Sequence, residues 1–212
     1  MPQPADGNRL TGRTGTGMHR KFPNPLVVMA LEEESGEIFQ RAAIPVLYTG
    51  VGKVNAAYSL TRKLSEYAAA GQPLPLVVNF GTAGSRLFAL GSVVACSAFV
   101  QRDMDATALN FARGATPFDR APARLEFPNM LPDLPPGICG TGDSFSTVHT
   151  DSEYDVVDME AYALAKVCWL YGSTFISIKY ITDGCDGESA SAWQANLRQA
   201  AQHFMAVHAQ LS

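Results

Sequence analysis

The chain has 212 residues, 47% of them hydrophobic, and a formal net charge of −4, enough for one sizeable core near the upper range of a single domain. Mild acidity leaves no electrostatic footprint for nucleic acid or an anionic membrane, the apolar runs are far shorter than a bilayer span, and the N-terminus lacks the continuous apolar core of a signal peptide. Cys96, Cys139, Cys168 and Cys185 form no CxxC pair and share no spacing with the four histidines, which excludes a zinc framework or a disulfide scaffold and makes a reduced cytoplasm the expected compartment.

Residues 1–24 are rich in Gly, Pro, Thr and basic residues without periodicity and read as a mobile tail ahead of a single domain over 25–212. From Pro25 the pattern turns regular. "PLVVMAL" reads as a buried strand and "EEESGEIFQR" as the helix after it; "AIPVLYT" is a second strand ending at the turn "GVG". A helix follows over "KVNAAYSLTRKLSEYAAAG", with Ala57, Leu60, Leu64 and Tyr67 on one face and Gly71 as its stop. "LPLVVNF" is a strand closed by the glycine turn "GTAGS", and "GSVVACSAFVQ" is another. The stretch 102–140, rich in Pro, Gly, Asp and Arg, breaks the alternation and is expected to be loop with short elements. "DVVDMEAYALAKVCWLYG" returns to a strand edge and a helix, "TFISIKYITDG" is a strong strand, and Trp193, Leu197, Ala200, Phe204, Val207 and Leu211 mark a long amphipathic C-terminal helix. Strands alternating with helices predict an α/β fold, a three-layer sandwich around a central, twisted, mostly parallel sheet.

In such folds functional groups gather where strands end, and here those ends carry "EEES", "GVGK", "GTAGS", "DME" and "TDG". Each has a plain alternative. "GVGK" fails as a phosphate loop, because Leu47 stands where the first glycine is needed and Val54 where Ser or Thr would hold magnesium; a tight turn into a helix remains. "GTAGS" signals only close backbone approach. The three glutamates 32–34 suit a helix start, Asp158 suits a helix cap, Asp183 a turn or cap, Met159 and Phe145 a core, and His149 a surface loop.

Taken in order, "ALEEES", "TGVGKVNAA", "VNFGTAGS", "TGDSFS", "VVDMEAYALAKVC" and "YITDGCD" resemble the nucleoside phosphorylase/nucleosidase superfamily, most closely its methylthioadenosine/S-adenosylhomocysteine nucleosidases. The resemblance runs from about Pro25 to the C-terminus. It implies a homodimeric enzyme that hydrolyses the N-glycosidic bond of adenine thionucleosides without metal or cofactor. Asp183 resembles the aspartate that protonates N7 of adenine, and Glu34 the glutamate that positions and activates water. Glu160 resembles the glutamate that grips the 2′- and 3′-hydroxyls, Met159 the methionine packed on the sugar, Phe145 the aromatic stacked on adenine, and Thr82 the small hydroxyl residue near water and sugar. The chemistry fits these residue types. The reaction passes through a cationic sugar and expels a poor leaving group, so one group must give the base a proton and another must deprotonate water.

Phosphorylases of the superfamily hold phosphate with arginines, one of them just before the segment equivalent to "GTAGS". Asn79 and Phe80 stand there instead, and "EEES" repels phosphate, which favours hydrolysis. A purine nucleoside phosphorylase and an inactive nucleoside-binding protein of the same fold are the alternatives. Only residues 35–49 separate Glu34 from "GVGK", which implies loss of a peripheral hairpin. The unusual stretch carrying Arg102, Arg113 and Arg120 leaves the preferred 5′ substituent open.

Overall fold

A computed structural model of the chain describes residues 24–145, 153–184 and 189–211. The proposed tail up to residue 23, His149 and Cys185 lie outside the described residues, as does the side chain of Trp193. The elements run β1 (Leu26–Met29), α1 (Glu32–Arg41), β2 (Val46–Tyr48), α2 (Lys53–Ala69), β3 (Val77–Gly84), β4 (Val93–Gln101), β5 (Arg124–Glu126), β6 (Pro136–Thr141), β7 (Val156–Asp158), α3 (Ala161–Tyr171), β8 (Phe175–Asp183) and α4 (Ser189–Leu211).

Helices pack on two sides of a central sheet. Ala56, Leu60 and Leu64 of α2 and the apolar run Ala161–Ala165 of α3 enter one cluster with Val28, Phe99 and Phe175. Phe39 of α1 and Ala200, Phe204, Val207 and Leu211 of α4 enter the other with Val78, Phe80 and Ile178. The buried face of α2 is rotated by one residue from the expected one: Ala56 is fully buried, whereas Ala57 and Tyr67 are half-buried.

Most strand pairs of the sheet are parallel, as expected, but it is not a simple central layer. It is mixed, with β3–β7, β4–β5 and β4–β8 antiparallel. It also closes as a barrel-like ring, β3–β8–β4–β6–β7 and back to β3. Closure comes from the far end of β3, where Gly84 pairs with Val157 of β7 after the first half of the strand has paired with β1. One further expectation is corrected. "GTAG" is no turn; it is the second half of β3 and pairs with β8. The stretch 102–140 is loop with short elements, as expected, but one of them, β6, sits inside the ring between β4 and β7. Its Pro136, Gly137 and Gly140 hide a strand from any propensity reading, while register with two neighbours imposes it.

Late in β8 the pairing with β3 slips: Ala83 faces Ile181 but Gly84 faces Asp183, which leaves Thr182 as an extra residue. A bulge of this kind re-aims side chains. Here it lets both Thr182 and Asp183 face the same cavity.

Candidate active site

At the ends of β1, β3, β7 and β8 lies a cavity of about 330 Å³, lined by Glu34, Thr82, Phe145, Met159, Glu160 and Asp183 among others. All six expected site residues therefore meet in one place. That volume suits a small-molecule ligand of nucleoside size.

Glu34 belongs to the first turn of α1, yet it is buried (4% exposed) while Glu32 and Glu33 remain exposed. Its Oε2 accepts hydrogen bonds from the backbone N–H groups of Ala30 (3.0 Å) and Leu31 (3.2 Å), donors that the start of a helix leaves without internal partners. Its Oε1 accepts from the Thr82 N–H (3.0 Å) and hydroxyl (3.3 Å). Four donors fill the carboxylate's lone-pair sites and fix its plane. The longest bond, from the Thr82 hydroxyl, is the one a water can displace most cheaply.

Asp183 ends β8 and is 4% exposed. The Thr182 hydroxyl donates to its Oδ2 (3.3 Å), and its carbonyl accepts the Ser85 N–H (3.1 Å). Glu160 stands at the N-cap of α3, where its Oε1 accepts the Gly52 N–H across 2.9 Å. Burial pushes its carboxyl up to about 8, and the charge of Asp158 adds to the rise. Lys179 and the Gly52 N–H pull the other way, and Glu34 pushes up weakly. Met159 is half-buried beside it, and Phe145 lies at the rim, 49% exposed.

Asp158 does not face a ligand in the same way. Its Oδ2 meets Lys179 Nζ at 2.8 Å and accepts the Ala161 N–H at 2.8 Å. Its Oδ1 accepts the Thr141 hydroxyl at 2.5 Å, and Thr141 in turn accepts the Tyr162 N–H at 2.8 Å. Asp158 thus caps α3 and anchors it to β6 and β8. Burial would raise its pKa, but the Lys179 ammonium and these hydrogen bonds hold it below the usual carboxylate range. Lys179 is fully buried, and the surrounding acids, Asp158 first, overcome the desolvation that would neutralise it. Sequence reading missed Lys179, although a lysine in the middle of "FISIKYIT" was a signal: a charge in an apolar strand needs a partner. Gly81 makes room for it, since a Cβ there would stand 3.0 Å from Lys179 Nζ and 3.5 Å from Glu34 Oε1.

Asn79 and Phe80 are absent from the cavity lining. Asn79 donates to the Val28 carbonyl (3.2 Å) and accepts from Ser177 (2.7 Å), while Phe80 packs against Phe39 and Phe204. Of the three arginines in the unusual stretch, Arg102 does line the cavity. Its guanidinium donates to the carbonyls of Gly142 and Ser144 and to the Ser144 hydroxyl, which turns it toward the loop behind Phe145. Cys96, Cys139 and Cys168 are free thiols, all buried. Among the described residues no helix is long and apolar enough to cross a membrane.

Residues 32–211 match the family model described as the phosphorylase superfamily. The 5′-methylthioadenosine/S-adenosylhomocysteine nucleosidase of Marinomonas sp. (strain MWYL1) is 30% identical over 187 residues, which cover 78% of this chain and 78% of that protein. Among solved structures, S-adenosylhomocysteine nucleosidase from Streptococcus pyogenes, in complex with 5-methylthiotubericidin, aligns with a TM-score of 0.74 at 21% identity, covering 92% of this chain and 98% of the other. A futalosine hydrolase mutant from Helicobacter pylori aligns at 0.71 and 23% identity, covering 83% and 92%. These structural likenesses concern the mixed α/β fold with its central sheet.

Proposed function

Because the chain belongs to the phosphorylase superfamily, we propose that its cavity hydrolyses the N-glycosidic bond of 5′-substituted thioadenosines such as methylthioadenosine and S-adenosylhomocysteine, releasing adenine. Asp183 donates a proton to N7 of the base, the N9–C1′ bond breaks with its electron pair going to adenine, and positive charge develops on the sugar. Water held by Glu34 and Thr82 adds to C1′ and gives its proton to Glu34. Glu160 grips the ribose hydroxyls, Met159 packs against the sugar, and Phe145 stacks on adenine. The carrying observation is Glu34: its bonds to the Ala30 and Leu31 N–H groups suit a helix start, but Thr82 on β3 donates twice more, and the carboxylate opens on the same cavity as Asp183 and Glu160.

Hydrolysis is preferred to phosphorolysis because Arg102, which lines the cavity, commits both terminal guanidinium nitrogens to the 142–144 loop, and the buried Lys179 is paired with Asp158. Incubation with methylthioadenosine and with S-adenosylhomocysteine, each with and without phosphate, tests the reading. Free adenine and an unphosphorylated sugar, indifferent to phosphate, is the expected outcome; a sugar 1-phosphate formed only with phosphate would make the protein a phosphorylase. We further propose one catalytic domain over 25–212 behind a tail at 1–24, acting as a cytoplasmic homodimer.

A further inference from the structure

Glu160 is held by a backbone N–H from a different part of the chain, and that N–H is held in turn. Gly52 stands in the turn between β2 and α2 with φ +95°, a conformation that favours glycine, and a Cβ there would meet Asp143 Oδ1 tightly, at 3.2 Å. The Gly52 N–H donates to Glu160 and the next N–H, of Lys53, donates to Asp143 Oδ1 at 2.8 Å. The Lys53 ammonium reaches Asp103 Oδ1 at 2.5 Å and Asp143 Oδ2 at 3.7 Å. Asp103 Oδ2 accepts the Asp143 N–H at 2.9 Å. Two loops that are far apart in sequence, 50–53 and 142–145, are therefore locked together by the residue that follows Arg102, while Arg102 fastens the second loop's carbonyls. The side chains of Lys53 and Asp103 are 15% and 31% exposed, so this ion pair is only partly screened by water, and its weight comes from the network it joins.

We propose that Asp103 and Lys53 are positioning residues for the sugar-binding carboxylate: their ion pair, through Asp143, sets the Gly52 N–H on Glu160 and so tunes how Glu160 meets the ribose. This rests on the nucleosidase reading of the site. Neither residue touches substrate; both act through Gly52. The positive charge that develops on the sugar attracts an ionised Glu160, so that form is the active one. The groups facing Glu160 are Asp158, Lys179 and Glu34 besides the Gly52 N–H, and only that N–H belongs to the clamp. Loss of the N–H removes one of the two influences that favour the ionised form, so the acidic limb of kcat/KM, which reports the free enzyme, must move to higher pH.

The test uses Asp103→Asn, Lys53→Met and the double variant in the full chain, with Glu66→Gln, in an exposed ion pair on α2, as a charge-matched control. Methylthioadenosine turnover is followed from pH 5.5 to 9.5, with amide exchange read at residues 52–53. Expected are a fall of about tenfold in kcat/KM at pH 7, a rise in the acidic limb, faster exchange at Gly52, a double variant no worse than the worse single one, and an unaltered control. Kinetics and exchange within twofold of the parent in a folded Asp103→Asn protein would overturn the proposal, as would additive losses in the double variant. If one single variant does not fold, the same two criteria are applied to the other. A parent that releases no adenine would sink the nucleosidase reading alone, and unchanged Gly52 exchange in the variants would then still decide against the clamp.

Discussion

Asp183 and Glu34 are both carboxylates with 4% exposure on one cavity, yet their partners differ, and the difference predicts separable defects. Glu34 is surrounded by donors that orient an acceptor, whereas Asp183 has Thr182 beside it on a bulge. Asp183→Asn keeps the shape and removes the acidic proton, so adenine release should fall by about 10²–10⁴-fold while calorimetry shows adenosine-analogue binding within a few fold; surviving turnover would remove Asp183 as the donor. Glu160 yields a second prediction. Its carboxyl is pushed up to about 8 from the 4.5 it would have when unfolded, so between those pH values the native state binds more protons than the unfolded one. Stability contributed by this residue is therefore greatest below about 4.5 and is lost as pH rises toward 8. Glu160→Gln abolishes that slope. Urea melts at pH 5 and pH 9 should show the variant gaining about 1–4 kcal/mol relative to the parent between the two, together with a large loss of turnover. An equal difference at both pH values would mean that the carboxyl is not perturbed. Stability sacrificed at a working residue is a usual feature of active sites.

Among the elements, those with strong local periodicity were legible from the chain alone. The helices α2, α3 and α4 and the strand β8 follow apolar spacing that no other arrangement satisfies as well, and the ordered motifs of the family resemblance led to all six cavity residues. The failures have a common cause, which is dependence on distant partners. "GTAG" looks like a turn because of its glycines, but Gly81 is small to admit Lys179 and Glu34, neither of which is its sequence neighbour. Strand β6 reads as loop because Pro136, Gly137 and Gly140 carry little strand propensity; a Cβ at Gly140 would stand 2.5 Å from the Tyr154 ring. Lys179 was overlooked because its partner Asp158 lies on another strand. That pair ties β8 to the β7–α3 junction inside the core, with each side chain 1% exposed. Lys179→Met would strand an unpaired Asp158 charge there, and chemical denaturation should record a loss of about 3–5 kcal/mol. Replacing both, with Asp158→Asn added, should recover a good part of it; a single variant as stable as the parent would show that the pair does not hold the junction.

For the whole molecule, ring closure brings β3, β7 and β8 to a single cavity, and among the described residues part of that cavity's wall, at Val51, is exposed. Val51, a lining residue, is 42% exposed, and Val54 and Tyr58 of α2 are 79% and 66% exposed. Val54 and Tyr58 are four apart on one face of α2, opposite Ala56, Leu60 and Leu64, which fill the core, and Val51 directly precedes the N-cap Gly52. An apolar stripe of this sort beside a ligand site has a physical reason to be covered by protein, and a second copy of the chain would complete the cavity at Val51 while burying Val54 and Tyr58. Sedimentation should therefore report twice the 22.7 kDa of one chain. Val54→Asp, which points away from the core and leaves the fold alone, should halve that mass and raise KM for methylthioadenosine more than it lowers kcat, because the substrate would lose a wall rather than a reacting group. A monomeric parent with full activity would refute the shared wall, and a dimeric Val54→Asp protein with unchanged KM would move the interface to another face.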